Sequence, residues 1–134
     1  FVYLSSLDEE GGPETRVLFN LRKLRSEPIS SGPAALAEGF ASYLGTNASS
    51  RKVSQLRRDG RACLYYSDNE KYEGCSVKGR LVEVEDREIR KAVYKDEWDM
   101  YYPGGLEGGD FSLFRLEPES VRYYHGLRVL AFDA

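Results

Sequence analysis

The chain has few of the residue types that build disulfide scaffolds or metal centres. Its 134 residues include two cysteines, Cys63 and Cys75, and one histidine. Two cysteines are too few for a disulfide framework or a four-ligand zinc site, and they favour a reducing, cytoplasmic environment. No stretch approaches the roughly 18 apolar residues that a membrane-spanning helix needs. The sequence therefore excludes a disulfide-rich secreted domain and a transmembrane protein.

The chain also has no excess of positive charge. Nineteen Lys and Arg residues stand against 22 Asp and Glu, which gives a net charge of −3 at pH 7. Bulk binding to nucleic acid is excluded because there is no broad positive field to hold a phosphate backbone. The single histidine, His125, has no nucleophile motif beside it, so we expect it to pack near Tyr123 and Tyr124 rather than serve a catalytic triad. The chain begins at Phe1 without an initiator Met, and we expect a further segment to precede it.

The chain is rich in the hydrophobic and aromatic residues that form the core of a β-rich protein. Hydrophobic residues make up 41% of the chain, with ten tyrosines and six phenylalanines. Alternating apolar and polar residues predict strands. A period near three residues predicts a helix over 49–59 and a second helix that begins after Asp86, in which Ile89, Ala92 and Val93 share one face. The predicted strands cover 1–7, 14–21, 36–44, 61–67, 72–85, 111–116 and 121–132, with a break around Pro118. This order of hairpins predicts one domain over 1–134, mainly β, an antiparallel barrel with peripheral helices.

The segment 46–55 (TNASSRKVSQ) carries the strongest chemical signal. A small polar loop precedes the predicted helix, and Arg51 and Lys52 fall in its first turn, where the helix dipole disfavours cations. Free backbone N–H groups, serine hydroxyls and the two cations would together bind a phosphate group. The alternative is a solvated helix face that happens to be basic. Arg16, inside an otherwise apolar strand, likewise indicates either an exposed strand face or a contact to a ligand.

Two other features leave alternatives open. Cys63 and Cys75 fall on the two strands of a predicted hairpin, so they form either a redox pair or, the interpretation we favour, two separate reduced thiols. The acidic run 83–86 is interpreted as a solvated edge with a helix cap rather than a metal site.

Several segments resemble one known family, the pyridoxamine 5′-phosphate oxidase-like split barrels, and more closely its general stress protein branch. The resemblance covers nearly the whole chain, and its sharpest element is Ser-Arg-Lys after a Thr-Asn loop. The segments that carry it are 12–19 (GPETRVLF), 40–43 (FASY), 46–52 (TNASSRK), 75–81 (CSVKGRL), the loop 98–105, and 113–118 (LFRLEP) followed by the tyrosine pair at 123–124.

The resemblance implies a six-stranded antiparallel split barrel, a homodimer, and FMN held in clefts between the protomers. It implies a flavin-dependent oxidoreductase with an unidentified substrate, in which Trp98, Tyr101 and Tyr102 either cover a flavin of the partner protomer or form a packed aromatic loop. By position, the FMN-binding residues would be Arg16, Ser50, Arg51 and Lys52 at the phosphate, Thr46 beside them, and the backbone of Val17, Leu18 and Phe19 along the ring.

The chain departs from the oxidase proper at three places. Leu21 stands where the oxidase has a Lys, and a flavin-contacting Gln is replaced near Glu73 or Gly74. The C-terminal Arg-x-His segment that contacts the pyridoxal phosphate is absent, so we do not expect vitamin B6 oxidation. These departures leave room for FAD or a deazaflavin in place of FMN. They also leave open a non-catalytic flavin-binding or stress-response module, a deazaflavin-dependent reductase, and a barrel without a cofactor.

Overall fold

A computed structural model describes residues 1–18 and 43–133 of the chain. The strands in these residues are β1 (Val2–Leu7), β2 (Pro13–Leu18), β3 (Tyr43–Asn47), β4 (Arg61–Asp68), β5 (Glu73–Glu83), β6 (Phe111–His125) and β7 (Arg128–Asp133). The helices are α1 (Arg51–Arg58) and α2 (Arg87–Val93), and two short 3₁₀-helices span Asp96–Met100 and Gly105–Glu107. Within the described residues, neither α-helix has the length and apolar character needed to cross a membrane.

The strands join one curled antiparallel sheet in the order β2-β1-β4-β5-β6-β3. β5 pairs with β6 along most of its length, while β3 and β7 pair with opposite ends of β6. The predicted mainly-β split barrel with peripheral helices is confirmed. β7, which pairs with β6, is a strand beyond the six that the resemblance implies.

Helix α1 closes the main core because one of its faces is apolar. Val53 and Leu56 are buried among Leu4, Leu64 and Phe114 of the sheet. Burying side chains of this size contributes about 1.5–3 kcal/mol each. A second apolar cluster lies under the segment that holds the 3₁₀-helices, and it includes Tyr43, Val84, Val93, Tyr102, Phe111 and Leu113.

The predicted break around Pro118 is wrong, because β6 runs without interruption from Phe111 to His125. A register shift between Lys78 and Gly79 accommodates the extra residue: Lys78 pairs with Ser120 and Gly79 with Pro118. A bulge of this kind lets the proline stay inside the strand. The predicted strand 121–132 is in fact two strands, since a turn at Gly126, with φ of 58°, separates β6 from β7.

Other predicted boundaries hold with smaller changes. β3 continues to Asn47, three residues past its predicted end. α1 ends at Arg58, and its C-cap is Asp59 rather than the predicted Gly60. Asp86 caps α2 as predicted, accepting from the N–H groups of Glu88 and Ile89, but Ala92 is exposed. The last residues of the second predicted strand, which include Phe19 and Leu21, lie outside the described residues. So does most of the third predicted strand.

The two cysteines are free thiols. Cys63 is opposite Lys78 and Cys75 is opposite Tyr66 in the β4–β5 ladder. Because successive side chains alternate between faces, this register puts the two thiols on opposite faces of the sheet. The structure therefore supports two separate thiols.

Candidate functional site

A cavity of about 650 Å³ opens between β2, β3, the start of α1 and the Asp96–Met100 segment. Its size is within the range of small-molecule sites. Polar groups reach it from Thr46, Asn47, Lys52 and Glu97. Its walls are otherwise mainly apolar and include Val17, Leu18, Leu44, Trp98, Tyr101 and Tyr102.

Lys52 gives the cavity a cationic end. Its side chain is partly buried, and its Nζ donates to Ser50 Oγ at 3.5 Å. Among the residues that the structure describes, no carboxylate lies within salt-bridge distance of Lys52. Burial lowers the pKa of Lys52, and the nearby charge of Arg16 lowers it further. Within residues 1–18 and 43–133, the amine is therefore a cation without a counter-ion, next to a second cation.

Arg16 on β2 is held in a fixed orientation by neighbouring side chains. Its Nη1 donates to Ser6 Oγ at 2.7 Å, and its Nη2 donates to Gln55 Oε1 at 3.0 Å. Glu14 Oε2 lies 3.3 Å from Nη2. Thus the cation that interrupts the apolar strand is mostly buried and bonded, not displayed on an exposed face.

Arg51 points away from the cavity toward the β1–β2 turn. Its guanidinium forms ion pairs with Glu9 at 2.9 Å and Glu14 at 3.2 Å, and 63% of its side chain is exposed. The bond from Arg51 is the largest of the effects that lower the pKa of Glu9 to about 2. The structure thus brings Arg16, Ser50 and Lys52 together and gives Arg51 two carboxylate partners.

The remaining predicted residues lie along the cavity wall. Thr46 is buried on β3, and Val17 and Leu18 stand on β2. Among the described strands, β2 pairs only with β1, and its last two residues, Val17 and Leu18, line the cavity. Phe19 lies outside the described residues.

Residues that the sequence did not reveal hold the loop between β3 and α1. Asn47 Nδ2 donates to Asp110 Oδ2 at 2.8 Å and to the carbonyl of Tyr101 at 2.9 Å. The N–H of Ser49 donates to Asp110 Oδ1 at 3.1 Å. Asp110 follows a Gly-Gly pair, which is typical of a loop aspartate, but no pattern indicates a partner 63 residues earlier in the chain.

The aromatic loop 98–105 forms part of the wall of the cavity in its own chain. Trp98 and Tyr102 pack in the second apolar cluster while they also line the cavity, and Tyr101 is more exposed at its rim. Gly45 allows this packing, since a Cβ there would lie 3.1 Å from the Phe111 ring and 3.4 Å from the Tyr102 hydroxyl. Burial, together with Asp110, raises the pKa of Tyr102.

The fold and the cavity define a split β-barrel with a cationic, aromatic-walled cleft. A model of the family described as pyridoxamine 5′-phosphate oxidase matches residues 1–125, and the chain belongs to this family. No curated protein matches the chain significantly.

Solved structures share the fold. A Clostridium acetobutylicum protein related to general stress protein 26 is 24% identical, with a TM-score of 0.74 over 98% of this chain and 84% of that one. An FMN-binding protein from Nostoc punctiforme, related to pyridoxamine 5′-phosphate oxidase, is 15% identical, with a TM-score of 0.62 over 97% and 78%. A heme-binding protein from Mycobacterium smegmatis is 19% identical, with a TM-score of 0.69 over 98% and 52%.

Proposed function

We propose that the cavity binds FMN, with the phosphate at Lys52, Arg16 and Ser50, and that the protein is a flavin-dependent oxidoreductase. The observation that carries the proposal is Lys52: it is partly buried, faces the cavity, lies near Arg16 and has no carboxylate partner among the described residues. Two cations near each other in a partly buried site repel one another, and a phosphate dianion relieves that repulsion.

The rest of the cavity suits a flat aromatic ring. The β2 edge at Val17 and Leu18 offers backbone groups to ring nitrogens and oxygens, while Trp98 and Tyr102 provide apolar walls. Thr46 adds a hydroxyl at the strand near the cationic end. Arg51 reaches a phosphate only by exchanging Glu9 and Glu14 for it, so we assign it a smaller contribution than Lys52.

When bound, FMN supplies the hydride and electron chemistry of such enzymes. The chain's own residues bind and orient the group: Lys52 and Arg16 fix the phosphate, and the apolar walls exclude water from the ring. Nothing in this arrangement requires a side chain to act as a general acid or base. We propose cytoplasmic action, in keeping with the two free thiols.

Titrations with FMN and with riboflavin, which lacks the phosphate, test the site. We expect the wild-type chain to bind FMN at least about tenfold more tightly, since charge-assisted bonds contribute about 1.5–3 kcal/mol each. Lys52→Met should remove most of this preference and leave riboflavin affinity unchanged. Lys78→Met, an exposed lysine of β5, is the matched control. Equal affinities of the wild-type chain for FMN and riboflavin would contradict the proposal.

The same purified protein separates the alternative cofactors and roles. Titrations with FAD and with a deazaflavin show whether the cavity prefers a cofactor with a different tail or a different ring. Tight FMN binding without reduction by nicotinamide donors would favour a non-catalytic flavin-binding module. Heme belongs in the panel because of the mycobacterial neighbour, but the described cavity wall offers it neither histidine nor cysteine.

We also propose a homodimer that forms through the outer face of the sheet. Val17, Tyr3 and Tyr65 stand opposite one another on β2, β1 and β4, and each is at least 38% exposed. The next row, Thr15, Ser5 and Cys63, is also uncharged. Because Val17 belongs both to this face and to the cavity wall, a second copy there would lie beside the flavin cleft.

A further inference from the structure

Gln55 is a buried amide that contacts charged groups at both of its ends. It lies on α1 with 1% of its surface exposed, next to the core residue Leu56. Its Oε1 accepts from Arg16 at 3.0 Å. Its Nε2 donates to Glu14 at 2.9 Å and, over longer distances of 3.4 and 3.5 Å, to the carboxylate of Glu9. A buried polar side chain is costly unless its groups are hydrogen-bonded, and here the bonds join the cationic end of the cavity to the β1–β2 hairpin.

The described partners of Arg16 on the buried side are neutral. Ser6, 3% exposed, accepts from Nη1, and Gln55 accepts from Nη2. Neutral acceptors fix the plane of a guanidinium without cancelling its charge. Among the described residues, Glu14 is the only carboxylate within salt-bridge distance of Arg16.

Gln55 also restrains Glu14. The carboxylate is shared by Gln55 Nε2 at 2.9 Å, Arg51 at 3.2 Å and Arg16 at 3.3 Å. The first two contacts draw Glu14 toward α1. A side chain that accepts at one end and donates at the other is needed to serve both neighbours, and at this length only glutamine does so without a charge.

We propose that Gln55 is a positioning residue, which orients Arg16 toward the phosphate of the bound flavin and keeps its charge available. This inference rests on the proposed function of the cavity. Gln55 itself acts through Arg16 and does not contact the ligand.

Two substitutions separate the roles of charge and orientation. Gln55→Glu replaces the amide with one carboxylate, so that one oxygen faces Arg16 and the other faces Glu14. It should lower FMN affinity at least about tenfold and leave riboflavin affinity within twofold. Gln55→Met keeps the volume but loses both bonds, and it should lower FMN affinity several-fold. Ser54→Ala, an exposed neighbour on α1, is the matched control for both.

A readout without flavin tests the orientation directly. In ¹⁵N-labelled protein, the guanidinium signals of Arg16 should show restrained rotation in the wild-type chain and in Ser54→Ala, and faster rotation in Gln55→Met. Circular dichroism confirms that each variant is folded. If the wild-type chain has no preference for FMN over riboflavin, the proposed function fails. If that preference exists and survives Gln55→Glu unchanged, only the role of Gln55 is overturned.

Discussion

Arg51 and Lys52 are neighbours in sequence but have different environments. Consecutive helical residues are about 100° apart around the axis, so Lys52 faces the cavity while Arg51 faces Glu9 and Glu14. The sequence shows that cations stand at the start of α1, where the helix dipole disfavours them. In the fold, the carboxylates of the β1–β2 hairpin compensate this unfavourable placement. The sequence indicated the cations but could not identify these partners.

The lowered pKa of Lys52 determines how this residue affects the stability of the fold at different pH values. Since the ordinary pKa is 10.5 and the folded value is lower, the unfolded chain binds this proton more tightly. This residue therefore opposes folding at neutral pH, and the penalty disappears as the pH rises through the folded pKa toward and beyond 10.5. Glu9 has the opposite effect on stability, because its pKa is lowered from 4.5 to about 2. It stabilises the fold above pH 4.5, and this stabilisation is lost as the pH falls toward 2.

A bound phosphate group should raise the pKa of Lys52, because an adjacent anion favours the protonated amine. The measurement is a pH titration of the ¹³Cε signal of Lys52 with and without saturating FMN. The Lys78 signal, from an exposed residue, should follow the same curve in both samples. An unchanged Lys52 curve under FMN saturation would place the phosphate elsewhere.

Gln55 shows why part of the site escaped prediction. Helical periodicity marks Val53 and Leu56 as core residues, and it makes a glutamine between them look like a solvent-facing position. Only tertiary structure shows that this amide is buried against Arg16 and Glu14.

At the scale of elements, strands with clean alternation were predictable and those with local exceptions were not. The β4–β5 hairpin and the Asp86 cap followed from turn and capping residues. Pro118 suggested a break because proline lacks an N–H donor, but the bulge opposite it keeps β6 continuous. The space for that bulge depends on the residue across the ladder, which no local pattern specifies.

Gly79→Ala should therefore be strongly destabilising. A Cβ at residue 79 would lie 2.0 Å from the carbonyl oxygen of Glu117 and 2.9 Å from Cα of Pro118, both of them backbone atoms. We expect a loss of about 3 kcal/mol in the free energy of unfolding, measured by urea denaturation. Lys78→Ala, the exposed neighbour in β5, should change it by less than about 0.5 kcal/mol. Similar midpoints for the two variants would show that the bulge tolerates a side chain.

At the scale of the molecule, the outer sheet face makes the oligomeric state testable. Tyr65→Arg places a charge in the row formed with Tyr3 and Val17, so it should convert a dimer into a monomer in multi-angle light scattering. Tyr72→Arg changes an even more exposed tyrosine, in the turn between β4 and β5, and should leave the mass unchanged. A wild-type monomer, or a Tyr65→Arg dimer, would rule out this face as the interface.

The order of strands could be predicted only in part. Hairpins pair β1 with β2 and β4 with β5 because short turns join them. The pairing of β3 with β6 matches Tyr43 with Arg115 and Asn47 with Phe111. Partners so far apart in the chain carry no local signal, so this pairing was accessible only through the resemblance to known split barrels.

The position of β6 has a consequence for biosynthesis. This strand pairs with β5, β3 and β7, yet it is synthesised long after β3. During translation, about 65 further residues must therefore leave the ribosome before the partner strand of β3 is available. Until then its edge is unpaired, a state that favours chaperone binding or aggregation. Slow synthesis before residue 111 should accordingly lower the yield of soluble protein.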